Sequence, residues 1–164
     1  SQINMRRSAW SYHSNRNCQS DTAMPLDQPD TGSQQTVWTF DKFKIDDHIG
    51  TSIQIVDQQT YWSWNSLYKS SHRKSSLPYG ISQLIVMRAY TEVVQPRPPS
   101  NIHAAFNCRL IKTLSLSKEV QAKVFCVNKY MRRKRKMVDF RVNVSDSESG
   151  VLLCSATLGI CWSK

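Results

Sequence analysis

Glycine is scarce, with five in 164 residues, and none stands in a G-x-G-x-x-G, Walker-type or G-x-S-x-G arrangement. Dinucleotide fingerprints, phosphate-cradling loops and nucleophile elbows are therefore excluded, because each needs glycine where the backbone turns sharply or meets its ligand. No H-E-x-x-H is present. The five cysteines (Cys18, Cys108, Cys126, Cys154, Cys161) are odd in number and include no C-x-x-C pair. A disulfide framework or a zinc site would need tighter spacing with histidines nearby, so the thiols are expected to be structural and no metal is expected. The longest apolar run, around Leu84 to Met87, is far shorter than a membrane span, and no secretory core follows Arg6 and Arg7. The expectation is a soluble, cytoplasmic protein. Acid is also short: 12 carboxylates face 22 Lys and Arg, a net charge of +10. Such an excess suits phosphates of nucleic acid or of a coenzyme, an acidic carrier protein, or a membrane surface.

Residues 1–36 are rich in Ser, Gln, Asn and Asp without periodicity, and they read as a polar N-terminal tail or arm. Residues 37–164 read as one domain. Val37 to Phe40 is short, apolar and β-prone, as is Ile53 to Val56, and Asp46 to Gly50 between them reads as a polar loop. From Thr60 to Tyr68, Tyr61, Trp62, Trp64, Leu67 and Tyr68 recur at helical spacing. A loop over 69–77 leads to Pro78, suited to the first turn of a helix. Ile81, Leu84, Ile85, Ala89 and Val93 then form an apolar stripe that Pro96, Pro98 and Pro99 terminate.

Beyond the prolines the pattern is β throughout. Strands are expected over Ile102–Ile111, Val120–Val127, Lys136–Ser145 and Val151–Trp162. In the third, Val138, Phe140, Val142 and Val144 alternate with Asp139, Arg141 and Asn143. Asp146 to Gly150 reads as the turn of a hairpin joining the last two. Only the helix of residues 79–94 is long enough to cover an antiparallel sheet, so the expected class is α+β, a curved antiparallel sheet wrapped around one central helix.

Two stretches carry a family resemblance. Pro98-Pro99-Ser100-Asn101-Ile102-His103-Ala104 resembles the lead-in to the first long strand of MaoC-like hotdog-fold acyl-thioester hydratases and dehydratases. Tyr130 to Phe140, a basic segment running into an alternating strand, resembles the corresponding region, followed here by the turn Asp146 to Gly150 and a last strand ending at Trp162. The resemblance covers roughly residues 37–162. It implies the hotdog fold, a homodimer or a heterodimer with a second hotdog subunit, and an acyl-CoA or acyl-carrier-protein partner. No cofactor is implied beyond the coenzyme A or phosphopantetheine belonging to the substrate.

In such hydratases an aspartate and a histidine five residues apart precede the central helix as a base–acid pair, while the helix N-terminus polarises the thioester carbonyl. His72 occupies a fitting position six residues before Pro78, but the residue five before it is Leu67, and no acidic residue lies between Asp57 and Glu92. The catalytic pair lacks its aspartate. The resemblance assigns His72 to acid/base work and Tyr79 and Gly80 to an oxyanion site at the helix start; Tyr68, with Tyr61, Trp62 and Trp64, is a candidate for lining an acyl pocket. A plain surface histidine, a well-made helix start and aromatic packing are the alternatives. Six of the 22 basic residues lie between Lys129 and Lys136. Arg132, Arg133 and Lys134 are candidates for the substrate's phosphates, against a solvated turn or a nucleic-acid patch.

Three functional readings stand: a thioester-binding hotdog domain that hydrates 2-enoyl or dehydrates 3-hydroxyacyl thioesters; a non-catalytic hotdog subunit shaping a partner's substrate tunnel; and a basic nucleic-acid-binding protein. Against the last, no RRM, KH, zinc-finger or helix-turn-helix signature is present.

Overall fold

The computed structural model describes residues 36–68 and 77–163. A 3-10 turn at Phe40–Lys42 precedes strand β1 (His48–Ile55), helix α1 (Gln58–Tyr68) and helix α2 (Tyr79–Val93). Four strands follow: β2 (Ile102–Leu110), β3 (Glu119–Arg132), β4 (Arg135–Asp146) and β5 (Leu152–Trp162). They form one sheet of order β1-β3-β4-β5-β2, antiparallel at every pairing, with β1 and β2 at the edges. No described helix is long and apolar enough to cross a membrane.

The helix and the sheet meet through the residues that periodicity singles out. Ile81, Ile85 and Ala89 of α2 are buried, as are Val120, Ala122, Val124 and Cys126 of β3 and Val138, Phe140, Val142 and Val144 of β4. The register keeps the two strand rows aligned: Val124 faces Val142 and Cys126 faces Phe140. A one-residue slip would turn either row to the opposite face, so burial of this face fixes the register. Register shifts at Cys126/Asn128 in β3 and His103/Ala105 in β2 interrupt the ladders, and such irregularities bend a strand and increase its twist, which helps a sheet to wrap a helix.

Two expectations near the start of the domain need correction. Val37 to Phe40 is not a strand. The Trp38 N–H donates to the Pro96 carbonyl at 3.0 Å and its own carbonyl accepts from the Trp162 indole at 3.2 Å, so loop and side-chain partners take the groups a ladder would use. The segment instead caps the core: Phe43 stacks on Trp38 with centroids 4.9 Å apart and meets Phe140 and Trp162 edge-on. The polar loop over Asp46 to Gly50 is shorter than expected, because β1 already begins at His48. Asp46, not Gly50, takes the positive φ there. Gly50 serves close packing, since a Cβ on it would sit 2.9 Å from Val93 Cγ1 of α2.

Candidate functional site at the start of the central helix

Helix α1 contains neither acid nor base in its first or last turn. Its N-terminus is held by Asp57, whose Oδ1 accepts the Thr60 backbone N–H at 2.7 Å. That hydrogen bond and the one from the Thr60 hydroxyl hold the Asp57 carboxyl below the usual carboxylate range, with a smaller pull from Arg88. Along α1, Tyr61 and Trp64 turn toward the core while Trp62, Leu67 and Tyr68 remain exposed, so the five apolar residues split between two faces.

Trp64 organises the start of α2. Its ring lies so close to Gly80 that a Cβ there would overlap the Trp64 Cη2 and Cζ2 atoms, and its other side meets Tyr68, with centroids 4.3 Å apart and planes 31° apart. Between α1 and α2 opens a cleft of about 440 Å³ whose lining includes Asp57, Thr60, Trp64, Tyr68, Leu84 and Arg88. The start of α2, joined to this cleft through the Trp64 ring, carries no side-chain cap: Pro78 precedes it, and the first turn holds no acidic residue. Free backbone N–H groups and the positive end of the helix dipole therefore meet at Tyr79 and Gly80, an arrangement able to stabilise a developing oxyanion.

The Tyr79 side chain points elsewhere, its hydroxyl donating to the Cys108 carbonyl of β2. Desolvation, reinforced by the contact with Cys108, pushes this phenol upward. Cys108 is half-buried beside it. A hydrogen bond from the Cys154 thiol, opposed by burial, brings the Cys108 thiol down to about 7, and the same contact together with burial drives Cys154 upward.

The structure thus brings Tyr68 and Gly80 together through Trp64, with Tyr79 on the same helical turn but facing β2. His72 falls outside the described residues. Arg132 and Arg133 lie elsewhere, lining a cleft of about 360 Å³ with Arg135, Ile102, Ala104, Met137 and Cys161. Lys134 stands beside them at the tip of the β3–β4 hairpin. Tyr79 meets β2 at Cys108, whereas this cleft is reached at Ile102, six residues away and about 20 Å along an extended strand. The sequence reading missed Asp57 and Arg88 as cleft residues and the Cys108–Cys154 pair. Asp57 left one local signal, its place three residues before Thr60, whereas the others meet only through tertiary packing.

No protein-family model and no curated protein matches the chain. Solved structures do. The monoamine oxidase regulatory protein from Archaeoglobus fulgius superposes with a TM-score of 0.65 at 15% identity, covering 78% of this chain and 96% of its own. The MaoC-like dehydratase from Rhodospirillum rubrum gives a TM-score of 0.62 at 9% identity, covering 76% and 96%. The HadBC (3R-hydroxyacyl-ACP dehydratase) complex from Mycobacterium tuberculosis gives 0.56 at 11% identity, covering 71% and 98%. The chain has the hotdog fold that these proteins share, as its strand order and central helix imply.

Proposed function

We propose that the chain binds acyl thioesters of coenzyme A or of an acyl carrier protein, and that it hydrates 2-enoyl or dehydrates 3-hydroxyacyl thioesters. The observation that carries this reading is the uncapped start of α2, where Gly80 meets the same Trp64 ring that walls the cleft between α1 and α2, within a fold shared with MaoC-like and 3R-hydroxyacyl-ACP dehydratases. In this reading the thioester oxygen accepts from the Tyr79 and Gly80 backbone N–H groups, with Tyr68 beside the acyl chain. His72 takes a proton from water as its oxygen bonds to the β-carbon and delivers one to the α-carbon, and dehydration runs the same steps in reverse. Arg132, Arg133 and Lys134 serve the phosphates of the carrier. The described cysteines are free thiols, in keeping with a reducing, cytoplasmic setting.

A second reading rests on a specific feature. Leu67, standing where the resemblance would place the aspartate, is 74% exposed, and β2 offers a nine-residue strand with one edge unpaired. A hotdog subunit that lends its sheet edge to a catalytic partner would have both, and HadBC is itself described as a complex. Hydration of a panel of 2-enoyl-CoA thioesters, followed by loss of enoyl absorbance with His72→Ala alongside, separates the readings. Turnover lost in the variant supports hydratase chemistry at His72. Acyl-CoA binding without turnover favours the partner-dependent subunit, and neither binding nor turnover contradicts both.

A further inference from the structure

Two of the thiols do more than pack. In the ladder between β2 and β5, Cys108 lies opposite Ala156 and Leu110 lies opposite Cys154. Side chains two residues apart along a strand share a face, so Cys108 and Cys154 are diagonal neighbours on one side of the sheet. That side is the core side, because Cys154 and Ala156 are buried there and Cys108 packs against the same cluster. The two thiols meet, the Cys154 S–H donating to the Cys108 sulfur. A buried cysteine ordinarily packs as a small, inert hydrophobe. Cys126 is of that kind, fully buried and with its thiol pushed upward by desolvation. Cys108 is not, being only partly buried and carried on an edge strand.

The backbone of Cys108 is also tied to the central helix, since its carbonyl accepts from the hydroxyl of Tyr79, the first residue of α2. Diagonal neighbours on adjacent strands stand about 7–8 Å apart. A disulfide bridges Cα atoms farther apart than about 7 Å only if the backbone moves. Joining the two sulfurs therefore requires a strand to shift. Strand β5 is hydrogen-bonded along both of its sides and β2 along one. It is β2 that yields, and the carbonyl that moves with it is the one that Tyr79 holds.

We propose that Cys108 and Cys154 are a peroxide-oxidised thiol pair whose disulfide shifts β2 and releases Tyr79 from it, loosening the start of α2. The Cys108 thiolate attacks one oxygen of a hydroperoxide. The O–O bond breaks, Cys108 becomes a sulfenic acid, and the other oxygen leaves as hydroxide or alkoxide and takes up a proton. Oxidation removes the negative sulfur that, with burial, held the proton on Cys154. The Cys154 sulfur then attacks the Cys108 sulfur, the S–O bond breaks, and the hydroxide released leaves as water with the Cys154 proton. A thiol reductant restores both cysteines. Transient, sensing disulfides are the kind that occur in a reducing compartment, and no step depends on the thioester reading.

The test treats the reduced, full-length protein with hydrogen peroxide, blocks free thiols with iodoacetamide and maps the cysteines by peptide mass spectrometry. The parent should yield a peptide cross-linked through Cys108 and Cys154 that dithiothreitol separates. In Cys154→Ala the cross-link should vanish and dimedone should trap a sulfenic acid at Cys108, formed more slowly without the hydrogen bond to its sulfur. In Cys108→Ala neither product should form at Cys154. Overoxidation of Cys108 in the parent without the cross-link, or cross-links spread over other cysteine pairs, overturns the proposal. That arm needs only the parent, so a variant that fails to fold does not spare it. Amide hydrogen exchange over the first turns of α2 reads the consequence. Exchange there should be faster in the oxidised parent than in the reduced one. Tyr79→Phe should show the faster exchange already when reduced and gain little on oxidation. Unchanged exchange in the oxidised parent, or an equal increase in both proteins, would leave the disulfide without effect through Tyr79 and overturns the link to α2.

Discussion

Replacing Gly80 with alanine should destabilise this protein, although the same change in most helices stabilises. Alanine exceeds glycine in helix propensity by up to about 1 kcal/mol. Here the new methyl group would overlap the Trp64 ring. Ordinary carbon contacts lie near 3.5–4.0 Å, so the indole must withdraw by about an ångström or more. Trp64 is packed against the core but only partly buried and also stacks on Tyr68. Losing that seat should cost about 2–3 kcal/mol, below the roughly 3–5 kcal/mol of truncating a fully buried aromatic. The net expectation is a loss of about 1–2 kcal/mol, from the difference of these opposing terms. Urea unfolding of the single variants and of Gly80→Ala/Trp64→Ala measures it: with Trp64 removed, Gly80→Ala should become neutral or stabilising, a coupling of about 2 kcal/mol. A stabilised Gly80→Ala in the parent background, or additive effects, would refute the packing argument and with it the claim that Trp64 roofs the start of α2.

Cys108 should be the most rapidly alkylated described cysteine, with a rate midpoint near pH 7 read by peptide mass spectrometry, and Cys154→Ala should move that midpoint upward by removing the hydrogen bond that lowers it. Because its folded pKa lies below the ordinary thiol value of 9.0, the Cys108 thiolate adds stability present above that value and lost as pH falls through about 7. Asp57→Ala should lower the denaturation midpoint at pH 7. The gap to the parent should narrow below pH 3.8, since a depressed carboxyl contributes above its unfolded pKa and loses that contribution as pH falls through the folded one. Phe140→Ala, which leaves a hole between Phe43, Tyr90 and Trp162, should cost about 3–5 kcal/mol in chemical denaturation.

Helix α2 was legible because its apolar stripe is regular and prolines bound it on both sides; the structure places it at Tyr79–Val93, against an expected 79–94. Strand β4 was legible because strict alternation of Val138, Phe140, Val142 and Val144 admits one buried face. Val37 to Phe40 misled because apolar, β-prone residues also suit a core cap when loops satisfy their backbone groups. The hairpin tip was hidden for a different reason. Arg133 and Lys134 are residues that positive φ disfavours, so no turn signal marked where β3 stops and β4 begins. In the candidate site, Tyr79 and Gly80 followed from the position of Pro78, whereas the seat of Trp64 on Gly80 and the meeting of Asp57 with Arg88 across the cleft depend on how two helices pack. Local spacing carries no record of that.

The central claim, an acyl-thioester site at the start of α2, is tested most directly by titrating a 2-enoyl-CoA into the protein and following tryptophan fluorescence, in the parent and in Trp64→Phe. Saturable quenching in the parent, largely lost in Trp64→Phe while calorimetry still detects binding, would place the ligand against the indole beside Gly80. Binding that leaves the parent fluorescence unchanged, or no binding of any acyl-CoA or acyl carrier protein, would contradict it.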